Sequence, residues 1–326
     1  MNFYMLTGKA RILKLGVLIM SNVRRILAVV MAVVLCALCL TACGTDNNGT
    51  TSSPDSSSAA PAGIAAAKSI ADLKGMKIAA QNGTFHAEAR NQIEDVKGDT
   101  YPDFTDLLNA VTTGAVDGYI AEEPTAISAC KKDASLDYLH LKNNDTGFTA
   151  TAADVGIAIG LKKGSDLLSK MNEIIKGITQ EQKDQLMEQI ISIKNGEKVE
   201  KFALESEAPA NPTGTLKVAM ECAYEPYNWT ETSSDEKTLG AVAISGEGKD
   251  GLFANGYDVQ IAQYVANKLG MKLEIYAEKW DSLIPALNAG TVDAIVAGMS
   301  PTAERKQEID FTDTYYESNL VVIFKK

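Results

Sequence analysis

A two-lobed α/β protein with its function in the cleft between the lobes is what this 326-residue sequence predicts. A gapless near-duplicate, 176 positions apart, carries most of that expectation. Phe104-Thr-Asp-Leu-Leu-Asn-Ala-Val-Thr-Thr-Gly-Ala-Val-Asp-Gly-Tyr-Ile-Ala121 aligns with Trp280-Asp-Ser-Leu-Ile-Pro-Ala-Leu-Asn-Ala-Gly-Thr-Val-Asp-Ala-Ile-Val-Ala297. Leu107/Leu283, Ala110/Ala286, Gly114/Gly290, Val116/Val292, Asp117/Asp293 and Ala121/Ala297 are identical. Each copy reads as a short amphipathic helix, a glycine stop and a buried strand. Strand and helix patterns also alternate along the chain, which favours parallel sheets covered by helices. Finally, the 258 residues from Ser69 onward suffice for one large domain or two lobes of about 100 residues each.

The elements follow in order. Residues 1–42 are expected outside the fold. The basic start Met20-Ser-Asn-Val-Arg-Arg25 precedes an apolar run over 26–40, the length of a signal h-region and short for a membrane span. Met20 is an alternative start. Leu40-Thr-Ala-Cys43-Gly44 resembles the bacterial lipobox, which implies cleavage before Cys43 and diacylglycerol on its sulfur; an ordinary signal peptide is the alternative. Residues 43–68 read as a flexible tether, rich in Ser, Thr, Asn, Ala and Pro. Removal of 1–42 takes five basic residues and no acid, so the net charge moves from −11 to −16. Such acidity argues against nucleic acid and against basic docking on anionic lipid. Once Cys36, Cys39 and Cys43 are assigned to the leader and anchor, Cys130 and Cys222 lack any CxxC pairing, so neither a metal site nor a disulfide framework is expected. His86 and His140 stand isolated in sequence, which gives His-based catalysis or zinc ligation little support.

Lys77-Ile-Ala-Ala80 reads as a strand entering the Gly83-Thr84 turn and a helix from about Phe85, whose N-terminal amides and hydroxyl could seat a carboxylate. A strand over 155–161 precedes amphipathic helices over 165–177 and 179–191; residues 197–213 read as a surface connection. Strands over 216–220 and 272–276 flank a helix over 257–269, and the Gly-rich polar stretch 231–254 reads as a long loop near the cleft. In such sheets ligands sit beyond the carboxyl ends of the strands. There Gly298-Met-Ser300-Pro-Thr302-Ala-Glu-Arg305 can converge a hydroxyl, backbone amides and a guanidinium on one anion, since the Arg fork takes a carboxylate in two parallel bonds.

The run Ala-Gly-Met-Ser-Pro-Thr-Ala-Glu-Arg-Lys-Gln-Glu-Ile-Asp-Phe-Thr-Asp-Thr-Tyr-Tyr over 297–316 resembles the signature of family 3 bacterial extracellular solute-binding proteins, the polar amino acid receptors of ABC importers. Ala219-Met-Glu-Cys-Ala-Tyr-Glu-Pro-Tyr-Asn-Trp229, Gly256-Tyr-Asp-Val, Trp280-Asp-Ser-Leu-Ile-Pro-Ala-Leu and Ala80-Gln-Asn-Gly-Thr84 resemble further family blocks. The resemblance implies a type II periplasmic-binding-protein-like fold, each lobe a mainly parallel sheet flanked by helices. It implies that Arg305 grips a ligand α-carboxylate, assisted by Ser300, Thr84 and the amides of Gly298, Gly83 and Thr84. Glu122 falls where the family's acid pairs with the α-ammonium, Tyr224 and Trp280 where aromatic walls clamp the side chain, and Glu221 where the pocket meets its distal end.

The family blocks occur in permuted order: the part resembling 215–326 ordinarily precedes the part resembling 69–196. The sequence therefore predicts a circular permutation, with 69–153 as lobe II, 154–326 as hinge strand and lobe I, and one covalent crossing near 154–161. That arrangement implies freer reorientation of the lobes. The implied function is capture of a free, polar or charged amino acid by a monomeric lipoprotein that delivers it to an ABC permease and its ATPase at the outer face of the cell membrane. No cofactor, metal or catalysis is expected. The alternatives are a cyclohexadienyl-dehydratase-like enzyme on the same fold, with Glu122 as acid, and an amino acid sensor without transport.

Overall fold

The computed structural model describes residues 63–235 and 238–326; the expected signal segment, Cys43 and most of the tether lie outside them. At the end of that tether Ile64–Ala66 forms a 3-10 turn. Ile64 and Ala67 pack on buried side chains of the first lobe, so the fold begins ahead of Ser69.

In chain order the first lobe contributes β1 (Ile78–Gln81), α1 (Phe85–Arg90), β2 (Thr100–Tyr101), α2 (Phe104–Thr112), β3 (Gly118–Glu122), α3 (Glu123–Lys132) and β4 (Leu136–Leu139). Next come α4 (Ala152–Val155), β5 (Gly156–Ile157), β6 (Gly160–Leu161), α5 (Leu167–Lys176) and α6 (Gln180–Lys194). The second lobe adds β7 (Thr215–Met220), β8 (Ala223–Tyr224), β9 (Asn228–Glu231), β10 (Val242–Ser245), β11 (Phe253–Asn255), α7 (Tyr257–Lys268), β12 (Lys272–Ala277), α8 (Leu283–Ala289) and β13 (Ala294–Ile295). Last are α9 (Arg305–Glu308), β14 (Asp310–Phe311), β15 (Tyr316–Glu317) and β16 (Leu320–Lys325).

Two sheets organise these elements. The smaller has the order β2-β1-β3-β16-β4, with β2, β1 and β3 parallel and β16 antiparallel to both neighbours. The larger has the order β14-β6-β13-β7-β12-β10-β11-β9-β8; its centre, β13-β7-β12-β10, is parallel and its flanks antiparallel. The duplicated units occupy matching places. Asp117 Oδ2 accepts from the amide of Lys77 at 2.8 Å, and Asp293 Oδ2 accepts from that of Lys217 at 2.9 Å. Each aspartate thereby fastens the end of a helix-strand turn to the parallel neighbour, β3 to β1 and β13 to β7. Gly114 and Gly290 both take φ of 75°, the left-handed helix stop that a side chain resists.

Three expectations need correction. The assignment of 154–326 to one lobe fails at its end, because β16 lies between β3 and β4 in the first lobe's sheet. The physical reason is its uninterrupted Leu-Val-Val-Ile-Phe run, which suits a strand covered on both faces; Val321, Val322 and Ile323 are fully buried. The chain therefore crosses between the sheets twice, through β5 and through β15, and these two strands pair antiparallel with Tyr316 opposite Ile157. The single-crossing argument for freer lobes falls with it. Finally, the stretch 231–254 is no plain loop: β10 pairs with β11 and joins the parallel centre beside β12. Its short Val-Ala-Ile core between glycines gave too little periodicity to read.

Because Ile323 is central in its sheet and fully buried, Ile323→Ala is expected to lower unfolding free energy by about 2–5 kcal/mol. Urea titration checks this against Glu247→Ala, a surface change expected to stay within about 0.5 kcal/mol.

Candidate functional site

The turn after β13 is the centre of the site. Gly298 takes φ of 63°, and a Cβ there would stand 3.1 Å from the Tyr224 ring, so glycine is required both by backbone and by space. The strand end thus folds back and carries Ser300 and Arg305 over the first lobe. Arg305 Nη1 donates to the carbonyl of Ser300 at 2.9 Å, and Nη2 donates across the cleft to the carbonyl of Gly83 at 2.7 Å. Its guanidinium lies over the Trp280 ring, 5.2 Å from the centroid. Burial holds its pKa below the usual arginine value, with Glu88 and Glu304 opposing through space. Among the described residues no carboxylate forms an ion pair with it. A guanidinium met only by carbonyl dipoles retains donors for an anion.

Gln81, Thr84, Phe85, His86, Tyr224, Trp280, Gly298, Ser300 and Arg305 line one cavity, so six of the expected site residues meet there. Its volume is about 10 Å3, room for roughly one water. The cleft is shut, and any larger solute requires the lobes to part. Three further contacts keep it shut. Trp280 Nε1 donates to the carbonyl of Gly83 at 3.3 Å. Phe104 stacks on Tyr224 with centroids 3.8 Å apart and planes within 10°. Gln81 Nε2 donates to Glu221 Oε1 at 2.9 Å.

Several expected ligand donors have internal partners in this closed form. Ser300 Oγ donates to the carbonyl of Asp154 and Thr84 Oγ1 to that of Gln81, each at 2.8 Å. The Gly298 amide donates to the carboxylate of Asp258. Asp258 is fully buried and also receives Tyr315 Oη at 2.6 Å and Asn228 Nδ2 at 2.8 Å. Burial pushes its carboxyl up to about 6, against the pull of those hydrogen bonds. The Gly256-Tyr-Asp-Val block therefore buttresses the turn that carries Arg305.

Glu122 ends β3, buried, with Oε1 3.0 Å from His86 Nε2. Its Oε2 and the Nδ1 of His86 are buried without partners, at a cost of about 1–3 kcal/mol each. His86 is thus not isolated, and it stands edge-on to Phe104 at 5.7 Å. His86, Gln81 and Phe104 are the site residues that sequence reasoning missed. Phe104 had a signal: it opens the duplicated unit where Trp280 opens the other. The pairing of His86 with Glu122, 36 residues further on, had none.

Glu221 lies beside a second cavity of about 390 Å3, lined also by Asp103, Lys249, Trp280 and Asp281. Burial pushes its carboxyl up to about 7, aided by Asp103 and Asp281 and opposed by the Gln81 hydrogen bond. An acid raised in this way costs stability as pH climbs from its unfolded value, about 4.5, through 7, because the unfolded chain ionises first. Glu221→Gln is therefore expected to raise Tm at about pH 8, by the equivalent of about 1–3 kcal/mol, and to leave it unchanged near pH 4. Equal Tm differences at both pH values would mean that Glu221 ionises normally.

Residues 247–326 match the model for bacterial extracellular solute-binding proteins, family 3. The arginine-binding extracellular protein ArtP of Bacillus subtilis is 41% identical over 95 residues, 29% of this chain and 34% of that protein. A probable histidine-binding protein of Campylobacter jejuni is 34% identical over 109 residues, 33% of this chain and 35% of that one. The L-cystine-binding protein TcyA of Bacillus subtilis is 32% identical over 113 residues, 35% of each chain. The chain spans about a third of the length of these relatives. Among solved structures, the ancestral cationic amino acid solute binding protein AncCDT-1 is 30% identical over 31% of this chain and 37% of that one, with a TM-score of 0.24. The segment that carries β11, α7, the second duplicated unit, Ser300 and Arg305 is the one that matches the family 3 extracellular solute-binding proteins.

Proposed function

We propose that this protein is a solute receptor that closes its cleft on a free amino acid and presents it to an ABC importer. One observation carries the reading: among the described residues Arg305 is held at the cleft without a carboxylate partner, while the buried carboxylate Glu122 sits across in the other lobe with one oxygen unpartnered. A zwitterion complements that pair, its carboxylate to the guanidinium and its ammonium to the acid. Tyr224, Phe104 and Trp280 offer faces for the side chain, and Trp280 suits a cationic or polar one. The arginine-, histidine- and cystine-binding proteins it resembles bind solutes of this class by name.

The mechanism is opening and closing. The closed cavity admits no amino acid, so entry requires the four interlobe contacts of Arg305, Trp280, Gln81 and Phe104 to separate. A bound carboxylate takes over the donors of Arg305 that now face carbonyls, and ligand energy then favours the closed form. Lipid attachment at Cys43, placement at the outer face of the membrane, the permuted order of family blocks and work as a monomer with a permease and ATPase belong to the same proposal.

Calorimetric titration of residues 44–326 against the twenty amino acids and L-cystine tests it. Binding of one or a few is expected, weakened about 100- to 1,000-fold in Arg305→Ala, because removing one member of a buried charge pair strands the other. Absence of heat with every solute, together with turnover of prephenate or arogenate, would replace the receptor by the dehydratase reading.

A further inference from the structure

We propose that the seam where Glu221 of the second lobe meets Gln81 and Asp103 of the first is a pH-dependent latch, which closes with uptake of a proton by Glu221; the proposal rests on the opening and closing of the receptor reading. Glu221 follows β7 directly, and Gln81 ends β1. Gln81 Nε2 donates to Glu221 Oε1 at 2.9 Å and to Oε2 at 3.2 Å. It also donates to the carbonyl of Pro102 at 3.1 Å, which ties the amide to its own lobe. Asp103 is held in place too, because it caps α2 with Oδ1 accepting from the Asp106 amide at 2.9 Å. The first lobe therefore presents one fixed donor and one fixed carboxylate to a single carboxylate of the second.

What the seam does to that carboxylate decides the sign. In the closed form burial raises the Glu221 carboxyl to about 7, the Gln81 hydrogen bond pulls it down, and Asp103 and Asp281 push it up. Lys249, Glu278 and Lys279 complete the charged lining of the cavity beside it. Of these charges only Asp103 comes from the first lobe. When the lobes part, Glu221 loses Gln81, Asp103 and the cover of the first lobe, gains water, and returns toward its ordinary value of 4.5. A carboxyl that holds its proton more tightly closed than open favours closure below about 7 and opposes it as pH rises through that value. The neutral acid keeps the latch: protonated on Oε2, it still accepts from Gln81 on Oε1. The anion keeps that bond but faces Asp103 across the seam and Asp281 on its own side. Between about pH 8 and about pH 5.5 the ratio of closed to open protein is therefore expected to rise by about tenfold.

Ligand-free residues 44–326, refolded from denaturant to strip co-purified solutes, test the latch by two measurements. In 13C spectra of glutamate-labelled protein, with Glu221→Gln to assign the resonance, the Glu221 carboxyl is expected to titrate with a midpoint of about 6–7. Small-angle scattering is expected to show the protein more compact at about pH 5.5 than at about pH 8, the change following that midpoint. Glu221→Gln, a permanently neutral acceptor, is expected to stay compact at both. Asp103→Asn, which retains the helix cap, is expected to lower the midpoint and shrink the pH response. His86 and Asp258 are intact in both variants, so any response they cause persists there. A Glu221 midpoint near 4.5, a radius of gyration that does not change with pH, or a change that persists in Glu221→Gln would overturn the proposal. No amino acid enters either measurement, so a failed latch leaves the receptor reading standing, and calorimetry with the amino acids decides that reading by itself.

Discussion

The structure depends on the guanidinium of Arg305, which has no carboxylate partner among the described residues. Arg305 is placed by a four-residue helix after the Gly298 turn, and the carbonyls it meets come from both sides of the cleft. A charge in such a place is tolerable only while dipoles or a counter-ion face it. In the closed form the carbonyl of Gly83 supplies part of that compensation, so the first lobe is required to solvate the second lobe's cation. Separation of the lobes exchanges the carbonyl for water, and a bound carboxylate exchanges it for a full counter-charge. On the proposed receptor function, closure and anion binding are therefore parts of one electrostatic balance.

The duplicated unit explains how two lobes come to face each other with matching surfaces. Each copy starts on an aromatic residue, ends its helix on a left-handed glycine and fastens its strand by an aspartate to a neighbouring amide. The opening aromatics then lie at the cleft. Phe104 stacks on Tyr224 of the opposite lobe, and Trp280 lies under Arg305 while donating to Gly83 of the opposite lobe. A local repeat of eighteen residues thus supplies one wall from each side. The buried Asp258 network supports the arrangement from below, because its bond from the Gly298 amide holds the turn on which Arg305 depends.

Much of this was legible in the sequence where local pattern and local chemistry coincide. Glycine stops, the aspartates of the repeat and the Gly298–Arg305 turn are readable because their partners follow within a few residues or at a repeated spacing. The partners of Gln81, His86 and Phe104 are not. Glu221 is 140 positions from Gln81 and Glu122 is 36 from His86, and neither distance matches a helix or hairpin period. The place of β16 was misread for a different reason. Its apolar run identifies a buried strand but not which sheet buries it, and adjacency in sequence pointed to the second lobe. Pairing with both β3 and β4 decided otherwise.

That strand changes how motion between the lobes is to be understood. With β5 and β15 paired, both crossings run side by side, and Thr312 reinforces them by accepting from the Ile159 amide at 3.0 Å. Rotation of one lobe must then bend two hydrogen-bonded segments together, which restricts it to a narrow set of axes rather than freeing it. The binding turn is joined to the same place: Ser300 Oγ donates to the carbonyl of Asp154, just before β5, and the Met299 carbonyl accepts from the amide of Ala158. The residues flanking Arg305 are therefore bonded to the crossing itself. In the proposed receptor, a displacement of this turn by a bound carboxylate acts on the segment that sets the angle between the lobes, which joins the proposed anion site to the hinge.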